Sequence, residues 1–390
     1  MAMVVAADRD RCWGWNMKIL IFGGTGFVGL NIAAALLARG HAVTLFDRAN
    51  LPAAAQRDFA GYREALTVVQ GDITDRQPVM DVVAGGHDAI VLGAAITAGP
   101  AREAADPELI MQVNLVAQLP VLVAARRSGV ARIINLSSGA AYGAAGARHA
   151  LLDEETACDP ESLYAITKFA SERVAARLAA LWHFDIVSVR LSGVFGRWER
   201  ATGVRDTLSP HAQILATIRQ QGEAVLPRPG VKDWIYSPDV ADAVTLLIEA
   251  PKPKHRLYNI STGHEWSALQ WGQDLAKLHP GFVCRLAEPG EMPTIDLHGP
   301  TDRARMVGAA MGRASGEAAS RFRLPSRRTW RDADHRSSRP GRPGAAVGFT
   351  SGAGVWLARP FWLCRDGTGC SRPLMPARAQ VSRVAVGGVM

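Results

Sequence analysis

Two side chains spaced four residues apart could perform acid–base chemistry. Tyr164 and Lys168 lie in a helical pattern over residues 160–181, so both face the same way and can act on one ligand. A free tyrosine has a pKa near 10 and is mostly protonated at pH 7, so a tyrosine base needs a positive charge beside it. We expect Lys168 to supply that charge, and lowering the tyrosine pKa by ~3 would correspond to about 4 kcal/mol. Ser138, which follows an apolar run, could hydrogen-bond the reacting oxygen.

A glycine-rich turn near the N-terminus predicts a dinucleotide-binding site. A short apolar run is followed by Gly23, Gly26 and Gly29 and then by an alanine-rich helical pattern. These glycines permit a tight turn, close approach of the backbone to a pyrophosphate, and close packing of the helix on the strand. A purely structural turn is the alternative. The phosphates would bind N–H groups at the start of the helix, which is formed by Phe27 and Val28.

The end of the next apolar run indicates which dinucleotide is bound. Asp47 follows Ala42–Phe46 at about the distance where a carboxylate meets the adenosine ribose hydroxyls. Its charge would repel a 2′-phosphate, so NAD is favoured over NADP. NADP stays a possible cofactor because of Arg48, whose guanidinium could pair with that phosphate. With such a cofactor, the tyrosine chemistry becomes hydride transfer between a carbinol carbon and a nicotinamide ring, and the positive ring adds to the Lys168 charge in favouring the phenolate.

The elements that position these residues alternate between strand and helix up to about residue 250. This order predicts an α/β fold with a Rossmann-type, doubly wound parallel sheet. The predicted strands are Lys18–Phe22, Ala42–Phe46, Leu66–Val69, Ala89–Leu92, Arg132–Leu136 and Ile186–Leu191. The predicted helices are Glu108–Ser128 and Pro160–Leu181, the second with Asp159 as its cap.

Four segments follow from this pattern. We predict an N-terminal extension at residues 1–16 and an NAD-binding domain at 17–191, to which residues 232–263 return. A smaller, mixed α/β substrate-binding region covers mainly residues 192–299. Residues 300–390 are rich in Arg, Gly and Pro and predict a tail of low order.

The distribution of charge argues against a nucleic-acid partner. The chain of 390 residues has a net charge of +8, but residues 301–390 hold 16 Arg and 5 Asp or Glu, so residues 1–300 are mildly acidic. Asp8 and Asp10 stand where a signal peptide would be apolar, and no apolar run is expected to reach transmembrane length, so we expect a cytoplasmic protein without a membrane partner. The five cysteines lack metal-ligand spacing, and no metal is expected.

Together, several motifs between Met17 and Gly263 resemble the extended short-chain dehydrogenase/reductases, also called the NAD-dependent epimerase/dehydratase family. The motifs are Gly23–Gly29, Gly71–Asp75, Ala94-Ala95, Asn114, Ser137-Ser138 with Tyr142-Gly143, Tyr164 with Lys168, Arg190–Gly196, Lys232–Tyr236 with Asp239–Asp242, and Tyr258–Gly263. The resemblance implies catalysis by Ser138, Tyr164 and Lys168. It implies further cofactor contacts by Asp72, Ile73, Ala94, Ala95 and Asn114, with Tyr164 and Lys168 also touching the cofactor. It also implies a homodimer built on the two predicted helices.

Departures from the family pattern narrow the expected reaction. Dehydratases and decarboxylases of this family carry acidic residues just after the catalytic Ser, whereas this chain has Gly139-Ala-Ala141, as in UDP-galactose 4-epimerases or plain dehydrogenases. The epimerases usually have Asn at Gly193 and Arg at Lys232, and both positions bear on a nucleotide sugar. Three arginines could instead bind a phosphate or a sugar-acid carboxylate: Arg197, Arg200 and Arg205.

Three functions therefore stay open at this point. The first is a nucleotide-sugar 4-epimerase-like oxidoreductase acting on a small carbohydrate, with Ser138, Arg197, Arg205 and Lys232 as candidate substrate contacts. The second is an NAD-dependent dehydrogenase of a sugar acid or lactone. The third is a non-catalytic NAD(P)-binding sensor, against which the Ser–Tyr–Lys set argues.

Overall fold

The computed structural model describes residues 16–297. Its strands are β1 (Lys18–Phe22), β2 (Ala42–Asp47), β3 (Leu66–Gln70), β4 (Ala89–Leu92), β5 (Arg132–Ser138), β6 (Asp185–Leu191), β7 (Gly193–Phe195), β8 (Glu223–Leu226), β9 (Val231–Lys232), β10 (Trp234–Tyr236), β11 (Leu257–Ile260), β12 (Trp266–Ser267) and β13 (Val283–Leu286). Its α-helices are α1 (Phe27–Ala38), α2 (Ala53–Asp58), α3 (Arg76–Ala84), α4 (Pro100–Ala105), α5 (Pro107–Met111), α6 (Gln118–Arg127), α7 (Ala145–Arg148), α8 (Leu163–Trp182), α9 (Pro210–Arg219), α10 (Ser237–Glu249) and α11 (Ala268–Ala276).

Seven parallel strands form the central sheet, in the order β11-β6-β5-β4-β1-β2-β3. The inner strands are buried along nearly their whole length because helices cover both faces of the sheet. Alternate residues of β1 enter separate cores: Ile19 and Ile21 pack with α1 and α10, whereas Leu20 and Phe22 pack with α3 and α6. The predicted doubly wound α/β fold is therefore confirmed, and all six predicted strands are present.

The predicted start of the long helix at Pro160 is wrong. Helix α8 begins at Leu163, and its cap is Ser162, whose Oγ accepts a hydrogen bond from the Ala165 N–H at 3.1 Å. Asp159 instead runs beside the turn after β5, and a Cβ atom on Gly143 would lie 1.8 Å from the Asp159 carbonyl oxygen. Because Asp159 pairs with Gly143, helix α8 begins three residues later than predicted.

The helical segment Pro107–Arg127 corrects a second expectation. A π-helical turn at Gln112–Val116 lies between α5 and α6, and the segment spans 21 residues, with a mean hydropathy of 1.6 over its most apolar 18-residue window. It is thus long and apolar enough, by length and composition alone, to cross a membrane, contrary to the prediction that no apolar run reaches that length. Half of its most apolar window is buried inside the protein, with Val113 and Val121 in the core beneath the sheet.

A smaller cluster of elements follows β6. Helices α9 and α11 enclose a separate apolar core with the parallel pair β8–β13. The chain also returns to the sheet, since β11 pairs with β6 and α10 packs on α1. The predicted tail at residues 300–390, and all but Asn16 of the predicted extension at 1–16, lie outside the described residues.

A histidine lies at the centre of an aromatic cluster beside α9. His211 is 1% exposed, and its ring centroid lies 4.3 Å from that of Phe195 and 4.8 Å from those of Trp234 and Trp271. Within residues 16–297, neither ring nitrogen has a hydrogen-bond partner. Burial therefore lowers the pKa of His211 to about 3, and the ring is neutral in the folded protein.

This cluster predicts that acid destabilises the protein. Between about pH 6.5 and 3 the unfolded chain binds a proton at residue 211 and the folded chain does not, so the free energy of unfolding falls as pH falls. From pH 7 to 4.5 the loss should be about 2–3 kcal/mol. His211→Phe should remove that loss in urea unfolding at the two pH values. His87, whose pKa burial also lowers, leaves a residual slope.

The exposed residue His149 offers the matched control, and His149→Gln should keep the wild-type pH dependence. An unchanged pH dependence in His211→Phe would show that the imidazole is not held neutral.

Candidate active site

The glycine turn between β1 and α1 forms one wall of the site. Gly23 has a φ of +74°, which favours glycine, and a Cβ atom there would lie 2.7 Å from the Ala94 backbone nitrogen. A Cβ atom on Gly29 would lie 2.3 Å from the Gly23 carbonyl oxygen. Gly26 is the N-cap of α1 and leaves the first helical turn, which holds Phe27 and Val28, without a side-chain cap. These uncapped N–H groups fit a pyrophosphate.

Asp47 lies at the end of β2 next to this turn. Its Oδ2 accepts a hydrogen bond from the Thr25 N–H at 3.1 Å, and its Oδ1 accepts one from the Ala49 N–H. Arg200 reaches the same place and donates from Nη2 to the Thr25 carbonyl at 3.0 Å, whereas its buried Nη1 has no partner among the described residues. Burial lowers the pKa of Arg200, and the Asp47 charge partly offsets this. The orphaned nitrogen beside Asp47 fits the oxygen atoms of a dinucleotide.

The remaining predicted contacts with the adenosine half lie after β2 and β3. The Asp72 carboxylate accepts bonds from the Thr74 N–H at 2.9 Å and the Thr74 hydroxyl at 2.8 Å, and it pairs with the exposed Arg48 at 3.4 Å. Partial burial opposes ionisation, but these bonds outweigh it and lower the pKa of Asp72. Ile73 is buried in the core. The Asp72 carboxylate therefore stabilises the turn between β3 and α3.

Asn114 connects the loop after β4 with α8. Its Oδ1 accepts a bond from the Ile96 N–H at 2.7 Å, and its Nδ2 donates to the Ile96 carbonyl and the Thr167 hydroxyl. The amide is fully buried and bonded within the protein, so it positions the backbone that carries Ala94 and Ala95.

Tyr164 lies beside Ser138, at the carboxyl end of β5. The hydroxyls of Ser138 and Thr97 and the Arg205 charge lie close enough to the Tyr164 phenol to favour its ionised form. Burial is the largest influence and raises the pKa of Tyr164, which these three groups partly offset. Sequence reasoning missed Thr97, since its contact with the phenol depends on the path of the loop after β4.

Lys168 lies near Tyr164 but is bonded elsewhere. Its ammonium donates to the Leu136 carbonyl at 2.8 Å and lies 5.9 Å from the centroid of the tyrosine ring. Burial lowers the pKa of Lys168 to about 8, while the Glu172 charge raises it. Arg205 adds a positive charge that acts on the phenol, and the lowering of the Tyr164 pKa by Lys168 with bound cofactor stays a prediction.

A buried ion pair fixes α8 against the sheet. Arg190 on β6 donates from Nε and Nη2 to the two carboxylate oxygens of Glu172, at 2.9 and 2.7 Å. Ser137 on β5 also donates to this carboxylate. Both members of the pair are buried, so the register of α8 on β5 and β6 is set four residues beyond Lys168.

Of the predicted substrate residues, Arg197 and Lys232 contact other protein side chains, whereas Arg205 acts on Tyr164. Arg197 pairs with Asp58 at 2.7 Å and stacks on Trp198, and the Lys232 ammonium lies 5.3 Å from the Trp234 ring centroid. Only glycine fits at residue 193, because a Cβ atom there would lie 2.5 Å from the Trp234 ring. Arg205 alone of the predicted arginines acts on Tyr164.

Known proteins are similar to this chain in sequence. The family model described as NAD dependent epimerase/dehydratase family matches residues 19–261. The chain is 29% identical over 271 residues to a UDP-glucose 4-epimerase of Corynebacterium glutamicum, covering 65% of this chain and 78% of the relative. It is 31% identical over 251 residues to a dTDP-glucose 4,6-dehydratase of Mycolicibacterium smegmatis, covering 60% and 69%.

Solved structures show the same fold at lower identity. A UDP-glucose 4-epimerase of Thermus thermophilus in complex with NAD superposes with a TM-score of 0.64 at 23% identity, covering 80% of this chain and 94% of that one. A UDP-N-acetylglucosamine 4-epimerase of Methanobrevibacter ruminantium, in complex with UDP-N-acetylmuramic acid, gives 0.65 at 20% identity, covering 80% and 97%. The glycine turn, the Ser–Tyr–Lys set and the family match lead to one conclusion: this chain is an enzyme of the NAD-dependent epimerase/dehydratase family, with NAD as its cofactor.

Proposed function

We propose that the enzyme transfers hydride at a secondary hydroxyl of a carbohydrate in the manner of a nucleotide-sugar 4-epimerase, with Tyr164 as the acid–base group. The contact of Tyr164 with Ser138, at the sheet edge that carries the glycine turn, supports this proposal most directly. NAD, when bound, supplies the hydride acceptor and donor. The names of the curated relatives, which include a UDP-glucose 4-epimerase, are consistent with a nucleotide sugar as substrate.

Each protein residue then has a defined task. Ser138 hydrogen-bonds the substrate oxygen, and the Tyr164 phenol oxygen takes its proton as the carbon–hydrogen bond breaks. The Thr97 hydroxyl and the Arg205 charge support the phenolate form. Lys168 gives one of its three N–H donors to Leu136, so the others can hold ribose hydroxyls.

The turn after Ser138 favours hydride transfer without elimination. Residues 139–142 form a 3-10 turn in which the Ala140 N–H donates a hydrogen bond to Ser138 Oγ, and the side chains at 139–141 carry no acid. Removing water from a sugar needs a further acid or base beside the reacting carbons, so this chain is better suited to epimerisation or dehydrogenation.

A second candidate is net dehydrogenation of a sugar acid or lactone. The filling of the space at Gly193 by Trp234 favours it, because the amide that family epimerases place there cannot be accommodated. Assays of UDP-sugar epimerisation and of NADH formation with aldonic and uronic acids would separate the two candidates.

Tyr164→Phe should lower turnover by roughly 100-fold or more, since it removes the positioned acid–base group. NAD affinity, measured by fluorescence titration, should stay within a few-fold of wild type. Tyr62→Phe, on a partly buried tyrosine outside the site, is the matched control and should keep full activity. Near-normal turnover in Tyr164→Phe would refute the assigned role and place the acid–base chemistry on another residue.

The choice between NAD and NADP should depend on Asp47. Asp47→Ala should narrow the preference for NAD by roughly tenfold, or about 1.4 kcal/mol, because it removes the charge that repels a 2′-phosphate. Dissociation constants for both dinucleotides give the measurement, and Asp47→Asn separates the charge from the bond to Thr25. A wild-type protein that binds NADP more tightly would assign the choice to Arg48.

We also propose a homodimer formed by α6 and α8. These neighbouring helices expose Leu119 and Ile166 at 41% and 39%, as expected for a four-helix bundle formed with a second copy. Light scattering at micromolar concentration should give the dimer mass, and Leu119→Glu with Ile166→Glu should give the monomer mass. Leu278→Glu, at another exposed leucine, is the control. A monomeric wild type contradicts the proposal.

A further inference from the structure

One arginine of the loop after β7 is held against the segment that passes beside Tyr164. Arg197 and Arg200 bind Asp58 and Thr25 instead. Arg205 forms an isolated parallel β-bridge with Thr97, whose hydroxyl lies near the Tyr164 phenol. The bridge includes a hydrogen bond from the Thr97 N–H to the Val204 carbonyl at 2.7 Å. Arg205 is therefore held beside the phenol by backbone contacts.

A short strap, defined here as residues 203–207, is pinned over the loop after β4. The Asp206 carboxylate accepts bonds from the Gly99 N–H at 2.7 Å and from Arg102 at 3.1 Å. Arg102 also donates to the Gly203 carbonyl at 2.6 Å. These bonds join segments about a hundred residues apart, so the position of the strap is set by more than its own backbone.

The guanidinium of Arg205 is oriented from its other side. Glu199, whose side chain is 1% exposed, accepts bonds from the Ser209 N–H and hydroxyl, both at 2.7 Å, and pairs with Arg205 Nη1 at 3.1 Å. Arg205 Nε donates to the Thr207 carbonyl at 3.0 Å. Two of the three guanidinium nitrogens, Nε and Nη1, therefore bind protein oxygen atoms.

The third nitrogen is available to a ligand. Among the described residues, Arg205 Nη2 donates to no protein group, and the side chain is 23% exposed. Its Cζ lies 5.8 Å from the centroid of Phe27, the first residue of α1. The N–H groups of a fixed guanidinium beside an apolar ring are a strong binding site for a carboxylate or phosphate oxygen.

We infer that Arg205 is a specificity-determining residue that binds an anionic group of the substrate next to the hydroxyl acted on by Tyr164. The inference rests on the proposed function. A sugar-acid carboxylate and a nucleotide-sugar phosphate share the required chemistry. Arg205 favours either over a neutral sugar, because the N–H groups of Nη2 form stronger, charge-assisted hydrogen bonds with an anionic oxygen than with a hydroxyl.

The test compares a hexuronate, the matching neutral hexose and a UDP-hexose on the full chain loaded with NAD. Isothermal titration calorimetry in a Tyr164→Phe background measures binding without turnover. We expect the hexuronate or the UDP-hexose to bind at least tenfold tighter than the neutral hexose. A preference for the hexuronate identifies a carboxylate, and a preference for the UDP-hexose identifies a phosphate.

Arg205 variants separate recognition from folding. Arg205→Gln should weaken the preferred anionic ligand by roughly 10–100-fold and leave neutral hexose binding unchanged, with Arg205→Lys in between. In the Tyr164-intact enzyme the loss should appear in KM more than in kcat. Arg63→Gln, at an exposed arginine outside the site, is the control.

Three results would overturn the inference. They are equal wild-type binding of the neutral and charged ligands, equal weakening of both by Arg205→Gln, and a loss of NAD affinity in that variant in place of ligand affinity. Failure of the proposed function has a different signature, in which charged ligands bind through Arg205 but Tyr164→Phe leaves turnover unchanged.

Discussion

The active site depends on the buried ion pair between Glu172 and Arg190. This pair joins the middle of α8 to β6, and the Ser137 hydroxyl joins the same carboxylate to β5. Burying such a pair adds little net stability, but removing one partner typically costs about 3–5 kcal/mol because the other charge stays buried. The pair therefore acts mainly to fix the position of α8 along the sheet. That position determines where Tyr164 lies relative to Ser138.

Close packing brings the other walls of the site to the same edge, whereas the substrate side is built from long-range contacts between loops. Gly23 touches the loop after β4 so closely that no Cβ atom fits, so the turns after β1, β4 and β5 converge at the carboxyl ends of adjacent strands. The family shares its cofactor and hydride chemistry, so substrate choice falls to less regular segments such as the strap. The proposed role of Arg205 follows from that division, since Glu199 and Thr207 orient its guanidinium.

The sequence by itself determined the parts of this protein that depend on local spacing. The strands follow from short apolar runs, the glycine turn from the absence of a side chain, and the pairing of Tyr164 with Lys168 on one helix face from the period of 3.6 residues. The family resemblance rested on the same short motifs. Contacts between residues that are close in sequence can be predicted from their spacing, because the geometry of the helix or strand determines those contacts.

Only the tertiary structure decided which charge meets the phenol and where the arginines point. Lys168 has the right spacing, yet its ammonium donates to the Leu136 carbonyl, and Arg205, forty-one residues after Tyr164, adds a charge that acts on the phenol. Arg200 lies on the cofactor side, and α8 begins late because Asp159 pairs with another loop. Each outcome depends on the path of a loop across the sheet edge. Packing and hydrogen bonds set that path, and they join segments far apart in the sequence, which a periodic pattern cannot predict.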